Sequence, residues 1–169
     1  MMPIDAASQD ARGAPAAASA FRLYSPAFED GGIMPAECSS GRLGRNVSPP
    51  LAWENPPSRT AALALLAEDL DVPPFLHIVH WIAYNIPAGT RRLEPGIPPG
   101  ARLPGGGAQG RSFFGRYGYL GPDPMPARSV HRYRFALMAL DSPLREEPRM
   151  DRGRLLRAVK GDVLAQAAL

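Results

Sequence analysis

The chain has 169 residues, 45% of them apolar and 21% charged, with a formal net charge of +3. That is enough for one domain with a real core, and the mean hydropathy of −0.18 is ordinary for a globule. The longest apolar run, Ala61 to Ala67, is far short of the ~20 residues that cross a bilayer, and the single cysteine, Cys38, excludes an internal disulfide.

Charge is uneven along the chain. The first ninety residues carry five Arg against nine acids, whereas the remainder carries fourteen basic residues against seven acids. A pI near 9.4 would suit a nucleic-acid partner. The Arg residues are scattered, however, and no RNA- or DNA-binding motif accompanies them, so the basic half reads as solvated surface. Twenty prolines, more than twice the usual share of about 5%, argue against a helical bundle. Short strands joined by long, stiff connections are expected instead.

Residues 1–20 are Ala/Ser/Pro-rich and read as a disordered tail. Without a basic start or an apolar stretch they do not form a signal peptide, and a cytoplasmic location is expected. A single domain follows over residues 21–169. Phe21-Arg22-Leu23-Tyr24 opens it, and a turn-rich stretch from Ser25 to Pro50 comes next. Ala61 to Ala67 has helical propensity, but its length of seven, bounded by Pro57 and Pro73, favours a buried strand.

The next strand is clearer. Period two places Leu76, Ile78, His80, Ile82, Tyr84 and Ile86 on one face, and His77, Val79, Trp81, Ala83 and Asn85 on the other. Both faces are largely apolar, which marks a central strand. Pro87 to Pro126 reads as a loop long enough to have a purpose. Arg132 to Leu140 forms another strand. Leu155, Leu156, Val159, Val163, Leu164 and Ala167 then mark the stripe of a closing helix capped by Asp151, with Gly161 weakening it by ~1 kcal/mol. The expected fold is mostly β with one C-terminal helix.

The chemistry concentrates in few residues. Asp69 and Asp71 lie two apart, His80 sits within the central strand, and His131-Arg132-Tyr133 opens a later one. Buried charge is costly unless it is compensated, so Arg132 and the imidazoles of His80 and His131 are the natural partners of the two carboxylates. Asp69-Leu70-Asp71-Val72-Pro73 is equally good turn chemistry, and a lone strand histidine is often structural. Two Asp and two His match metal-ligand chemistry but lack the local spacing of a metal motif. Gly-x-Ser-x-Gly is absent, and Gly105-Gly106-Gly107 lacks the Gly-Lys-Ser/Thr ending of a phosphate loop.

Asn46-Val47-Ser48-Pro49-Pro50-Leu51-Ala52-Trp53, Asp69-Leu70-Asp71-Val72-Pro73, His80-Trp81-Ile82-Ala83-Tyr84-Asn85-Ile86-Pro87, Gly118-Tyr119-Leu120-Gly121-Pro122 and His131-Arg132-Tyr133 occur in order. Together they resemble the phosphatidylethanolamine-binding proteins, in particular the bacterial Raf kinase inhibitor-like branch, over roughly residues 21–168. The resemblance implies antiparallel sheets packed face to face, with a small pocket for phosphate-like or acetate-like groups, phospholipid headgroups included. Carried over, Asp69, Asp71, His80, Gly121, Pro122, His131, Arg132 and Tyr133 would be ligand-binding. A homodimer is also expected from the resemblance.

Three positions depart from the family pattern. Leu70 replaces the usual Pro between the carboxylates, which should loosen that turn. Asp123 stands where bacterial members often have Cys. The chain also stops at Leu169, ahead of a Gly-x-Tyr ending, so a closing aromatic is expected to be missing from the pocket. The expected protein is a binding or regulatory module rather than an enzyme, with no catalytic residue, metal or cofactor assigned. Its imidazoles and pocket backbone amides would bind the anion, while Asp69 and Asp71 orient the cations. The alternatives are a hydrolase using an Asp–His pair, or an inhibitor of a protease or kinase acting through surface loops.

Overall fold

The structure, a computed structural model, describes residues 20–169 apart from Leu43, Pro74, 124–128 and 147–148. Apart from Ala20, the expected tail lies outside the described residues. Three strands, β1 (Arg22–Tyr24), β2 (Leu51–Glu54) and β5 (Arg92–Leu93), form a small sheet in the order β1-β2-β5. The larger sheet has the order β6-β4-β3-β7-β8. Its strands are β3 (Ala62–Asp69), β4 (Val79–Pro87), β6 (Ala108–Gln109), β7 (Tyr133–Leu140) and β8 (Val163–Ala168). Every pairing is antiparallel. The expectation of a mostly β fold built from antiparallel sheets holds.

The Ala-rich segment is a strand because it occupies the centre of the large sheet. All eight residues of β3 are buried, so packing on both faces outweighs alanine's helical preference. Leu63, Leu65 and Ala67 face the small sheet, where they meet Leu23, Leu51, Trp53 and Leu93 in one core layer. Ala64 and Leu66 face the opposite way, toward Leu144, Met150, Leu155 and Val159. The short helix α1 (Arg152–Ala158) covers this second layer, and the Asp151 carboxylate caps it by accepting from Arg154 N–H at 2.9 Å.

β4 departs from strict alternation twice. Ala67 pairs with Trp81 but Glu68 pairs with Val79, which leaves His80 as an extra residue in a β-bulge. A second irregularity near Asn85 accompanies its positive φ of 54°. The first bulge corrects the expected face of His80. Ile82 and Tyr84 belong to the second core layer, whereas the His80 ring meets Tyr133, which packs against the first. A one-residue insertion reverses the parity of a strand, and no period-two pattern announces it.

The closing helix is shorter than expected. It ends at Ala158, and Gly161, at φ 98°, turns the chain so that Val163–Ala168 pairs with β7 as the edge strand β8. The open edge of β7 offers backbone partners that a continued helix could not use, and Leu137, Met138 and Ala139 pair there with Ala167, Gln166 and Ala165.

The long segment after Pro87 is mostly loop, as expected. It is tied down by Gln109, only 1% exposed. The side chain of Gln109 accepts from the Trp81 indole at 2.9 Å and donates to the carbonyls of Pro98 and Gly100 at 2.9 and 3.0 Å. One buried amide thus satisfies backbone groups that the loop would otherwise leave unpaired.

Candidate functional site

The end of β3 and the start of β7 are register partners, with Asp69 opposite Tyr133. Both belong to the face that carries Leu65, Ala67 and Phe135, so the site grows from one end of the first core layer. Here Asp69 is buried at 8% exposure. One of its oxygens, Oδ1, accepts from the Asp71 N–H at 2.8 Å, and the other, Oδ2, lies 2.7 Å from His131 Nδ1. A single carboxylate therefore closes the turn and holds an imidazole. The turn expected of these residues is present, and it is closed without a proline at Leu70.

Asp71 takes the neighbouring cation. It accepts from Arg132 Nη2 at 2.6 Å, from Nε at 3.1 Å and from the Arg132 backbone N–H at 2.6 Å. These bonds hold the Asp71 carboxyl down near about 2, so it stays ionised throughout the neutral range. The strand after Asp69 does not stay extended, so the two carboxylates diverge. Asp69 serves His131, and Asp71 serves Arg132.

His80 is placed differently. Its Nδ1 is 2.7 Å from the carbonyl oxygen of Leu120, while Leu120 N–H donates back to the His80 carbonyl at 2.7 Å. A carbonyl can only accept, so Nδ1 carries the proton. The other ring nitrogen, Nε2, is buried without a hydrogen-bond partner among the described residues. Burial lowers the pKa of His80 below its ordinary value and favours the neutral ring. The Tyr133 ring lies between the imidazoles, edge-on to His80 with centroids 5.1 Å apart and stacked on His131 at 6.4 Å. Its hydroxyl is pushed up to about 12 by burial and then by Asp69, Asp71 and Asp123. It remains a phenol, able to donate.

Gly121 and Pro122 follow directly from Leu120 and fix its carbonyl. Gly121 N–H donates to Asn46 Oδ1 at 2.6 Å. Ser40 Oγ donates to the Gly121 carbonyl at 2.7 Å, and both Ser39 Oγ and Ser40 N–H donate to the Pro122 carbonyl, at 2.6 and 2.9 Å. Only glycine fits at 121, since a Cβ would run into the Cys38 carbonyl oxygen. Ser39, Ser40, Asn46 and Leu120 position the site, and sequence reasoning gave them no such role. Asn46 and Leu120 did lie inside the ordered motifs, but the two serines carried no signal of their own.

Cys38 lies beside this wall, where its carbonyl touches Gly121 and accepts from the Tyr119 hydroxyl at 2.9 Å. Burial and Glu37 push its thiol up to about 11, so it is not an activated nucleophile. Pocket backbone amides were expected to bind the anion, but Gly121 N–H is given to Asn46 and Arg132 N–H to Asp71. Two cavities of about 730 and 370 Å³ lie elsewhere and include none of the eight expected site residues. Glu68, adjacent in sequence, points to the opposite face and pairs with Arg134 and Arg152, fastening α1 to the sheet.

The family model described as phosphatidylethanolamine-binding protein matches residues 24–169. The chain belongs to the phosphatidylethanolamine-binding protein family. It is 40% identical over 147 residues to a UPF0098 protein of Methanothermobacter thermautotrophicus, covering 87% of this chain and 94% of that protein. The UPF0098 protein YbhB of Escherichia coli is 37% identical over 124 residues, covering 71% of this chain and 78% of YbhB. Among solved structures, a phosphatidylethanolamine-binding protein homologue from Chlamydia trachomatis superposes with a TM-score of 0.77 at 35% identity, covering 89% and 94% of the two chains. YbcL of E. coli, described as a member of the mammalian family, superposes with a TM-score of 0.78 at 27% identity, over 88% and 94%. Membership of the phosphatidylethanolamine-binding protein family supports a binding or regulatory role. Among the described residues, no helix is long and apolar enough to cross a membrane.

Proposed function

We propose that this family member is a non-catalytic binding module. It captures a small oxyanion of the phosphate or phosphorylated-headgroup type among His80, His131, Arg132 and Tyr133. The observation that carries the reading is the buried, unpartnered Nε2 of His80 beside an oriented imidazole and a phenol. A buried polar atom left unsatisfied costs about 1–3 kcal/mol, and a ligand would recover that cost. Asp69 and Asp71 are engaged by His131 and Arg132 and act as orienting groups rather than ligand contacts. Gly121 and Pro122 form the wall that holds Leu120 against His80.

Calorimetric titration with inorganic phosphate tests this reading. His80→Ala and His131→Ala should each weaken uptake roughly ten- to a hundredfold, as expected for loss of one hydrogen bond to a charged group. Unchanged affinity in both variants would contradict it. The Asp69–His131 pair, at 2.7 Å, also favours a second reading in which His131 serves as general base in a hydrolase. Turnover of an ester or phosphoester panel, abolished in His131→Ala without loss of fold, would establish that reading instead.

A further inference from the structure

The formal charges of the site do not by themselves welcome an anion. Asp69 and Asp71 contribute two negative charges and Arg132 one positive. Asp123, near enough to raise the Tyr133 hydroxyl, adds a further negative charge at the rim. With His80 neutral the cluster is net negative, whether or not His131 carries a charge. His80 in that state presents only a lone pair from Nε2, because Nδ1–H is committed to the Leu120 carbonyl. A lone pair repels an oxyanion, and two acceptors cannot hydrogen-bond without a proton between them.

We propose that ligand capture at this site is coupled to one proton at His80 Nε2. The ligand is an oxyanion that brings its own acidic hydroxyl, as a hydrogen phosphate does, or one whose binding draws a proton from solvent onto the imidazole. This rests on the anion-site reading above and adds the protonation state of the ligand.

The groups around His80 are consistent with such coupling. Asp69 at the end of β3 favours a proton on the ring, and His131, ahead of β7, disfavours one. Tyr133 on β7 remains a neutral phenol, Asp71 is neutralised by Arg132, and the segment carrying Leu120 offers a carbonyl. An anion arriving at Nε2 adds negative charge beside the ring and supplies the missing acceptor for an Nε2–H. Both effects favour protonation. Since burial lowers the His80 pKa and favours the neutral ring, proton uptake would accompany binding rather than precede it.

Isothermal titration of the full chain with sulfate and with inorganic phosphate tests the proposal. Measurements run between about pH 6 and pH 8 in buffers of different ionisation enthalpy. Sulfate carries no proton in this range. Its association constant should therefore fall roughly tenfold per pH unit, with close to one proton taken up per anion. Phosphate should show smaller uptake wherever it arrives protonated. Nitrogen-detected imidazole spectra should show His80 Nε2 gaining its proton on sulfate binding, an observation that needs no variant. His80→Gln should remove the proton uptake.

Sulfate affinity that is flat with pH and accompanied by no proton uptake would overturn the coupling while leaving the anion site intact. Uptake persisting in a folded His80→Gln would move the proton to His131 and likewise overturn the assignment. Absence of binding by either anion at every pH would overturn the anion-site reading, and the coupling with it.

Discussion

His80 gains its character from three local facts: a bulge that turns it toward Tyr133, a carbonyl that fixes its tautomer, and burial that keeps it neutral. The last of these makes a prediction for stability. A histidine whose folded pKa lies below its unfolded value of ~6.5 takes up its proton more readily when unfolded. Stability from this group is complete above about pH 6.5 and is lost as pH falls through the lower folded value. Thermal melts in the absence of anions should show the wild-type midpoint dropping between about pH 6.5 and pH 5. The drop should be smaller in His80→Asn, because the carboxylates common to both proteins titrate alike. Equal drops would contradict a buried neutral His80. Residue identities at the site were legible beforehand because they lie in ordered motifs. Their division of labour was not, because whether Asp69 holds His131 or Arg132 depends on how the chain turns after β3.

At the scale of elements, β3, β4 and β7 were readable from apolar runs and turn residues. The closing helix was misjudged beyond Ala158. Val163, Leu164 and Ala167 fit a helical stripe and a strand equally well, and only the free edge of β7 decides between them. The bulge at His80 was hidden for a related reason, since both faces of β4 are apolar and a parity shift leaves no mark. The segment holding Leu120 shows how tightly such an element can be specified. Gly121→Ala forces a Cβ against the Cys38 carbonyl and within 2.6 Å of Ser40 N, both backbone atoms with little room to move. Overpacking of this kind costs about 1–3 kcal/mol. Displacing Leu120 should also release His80 Nδ1, so the variant should lose both stability in urea and anion affinity. Wild-type stability in Gly121→Ala would show that the wall is softer than described.

For the whole molecule, the two core layers explain why the site sits where it does. The sheets close over Trp53, Trp81 and Phe135, and the polar cluster occupies one end of that layer, where Asp69 and Tyr133 pair. Trp53, Trp81, Tyr84 and Tyr119 are buried and do not offer a surface to a second copy. Among the described residues, the most exposed large apolar side chains are Ile33, Phe75, Phe114 and Val130. We propose a homodimer whose interface lies elsewhere than on the buried aromatics. Sedimentation equilibrium should give about twice the 18.1 kDa of the chain, and a single species at 18.1 kDa would contradict it.

The proposed oxyanion site lies at His80 and His131 and not in either of the two cavities. Backbone and imidazole chemical shifts of the full chain, followed while inorganic phosphate is added, test it most directly. Saturable shifts should concentrate at Asp69, His80, Leu120, Gly121, His131 and Tyr133, with little change elsewhere. Saturable shifts confined instead to Arg22, Tyr24, Phe28 and Leu169, which line the cavity of about 730 Å³, would contradict it.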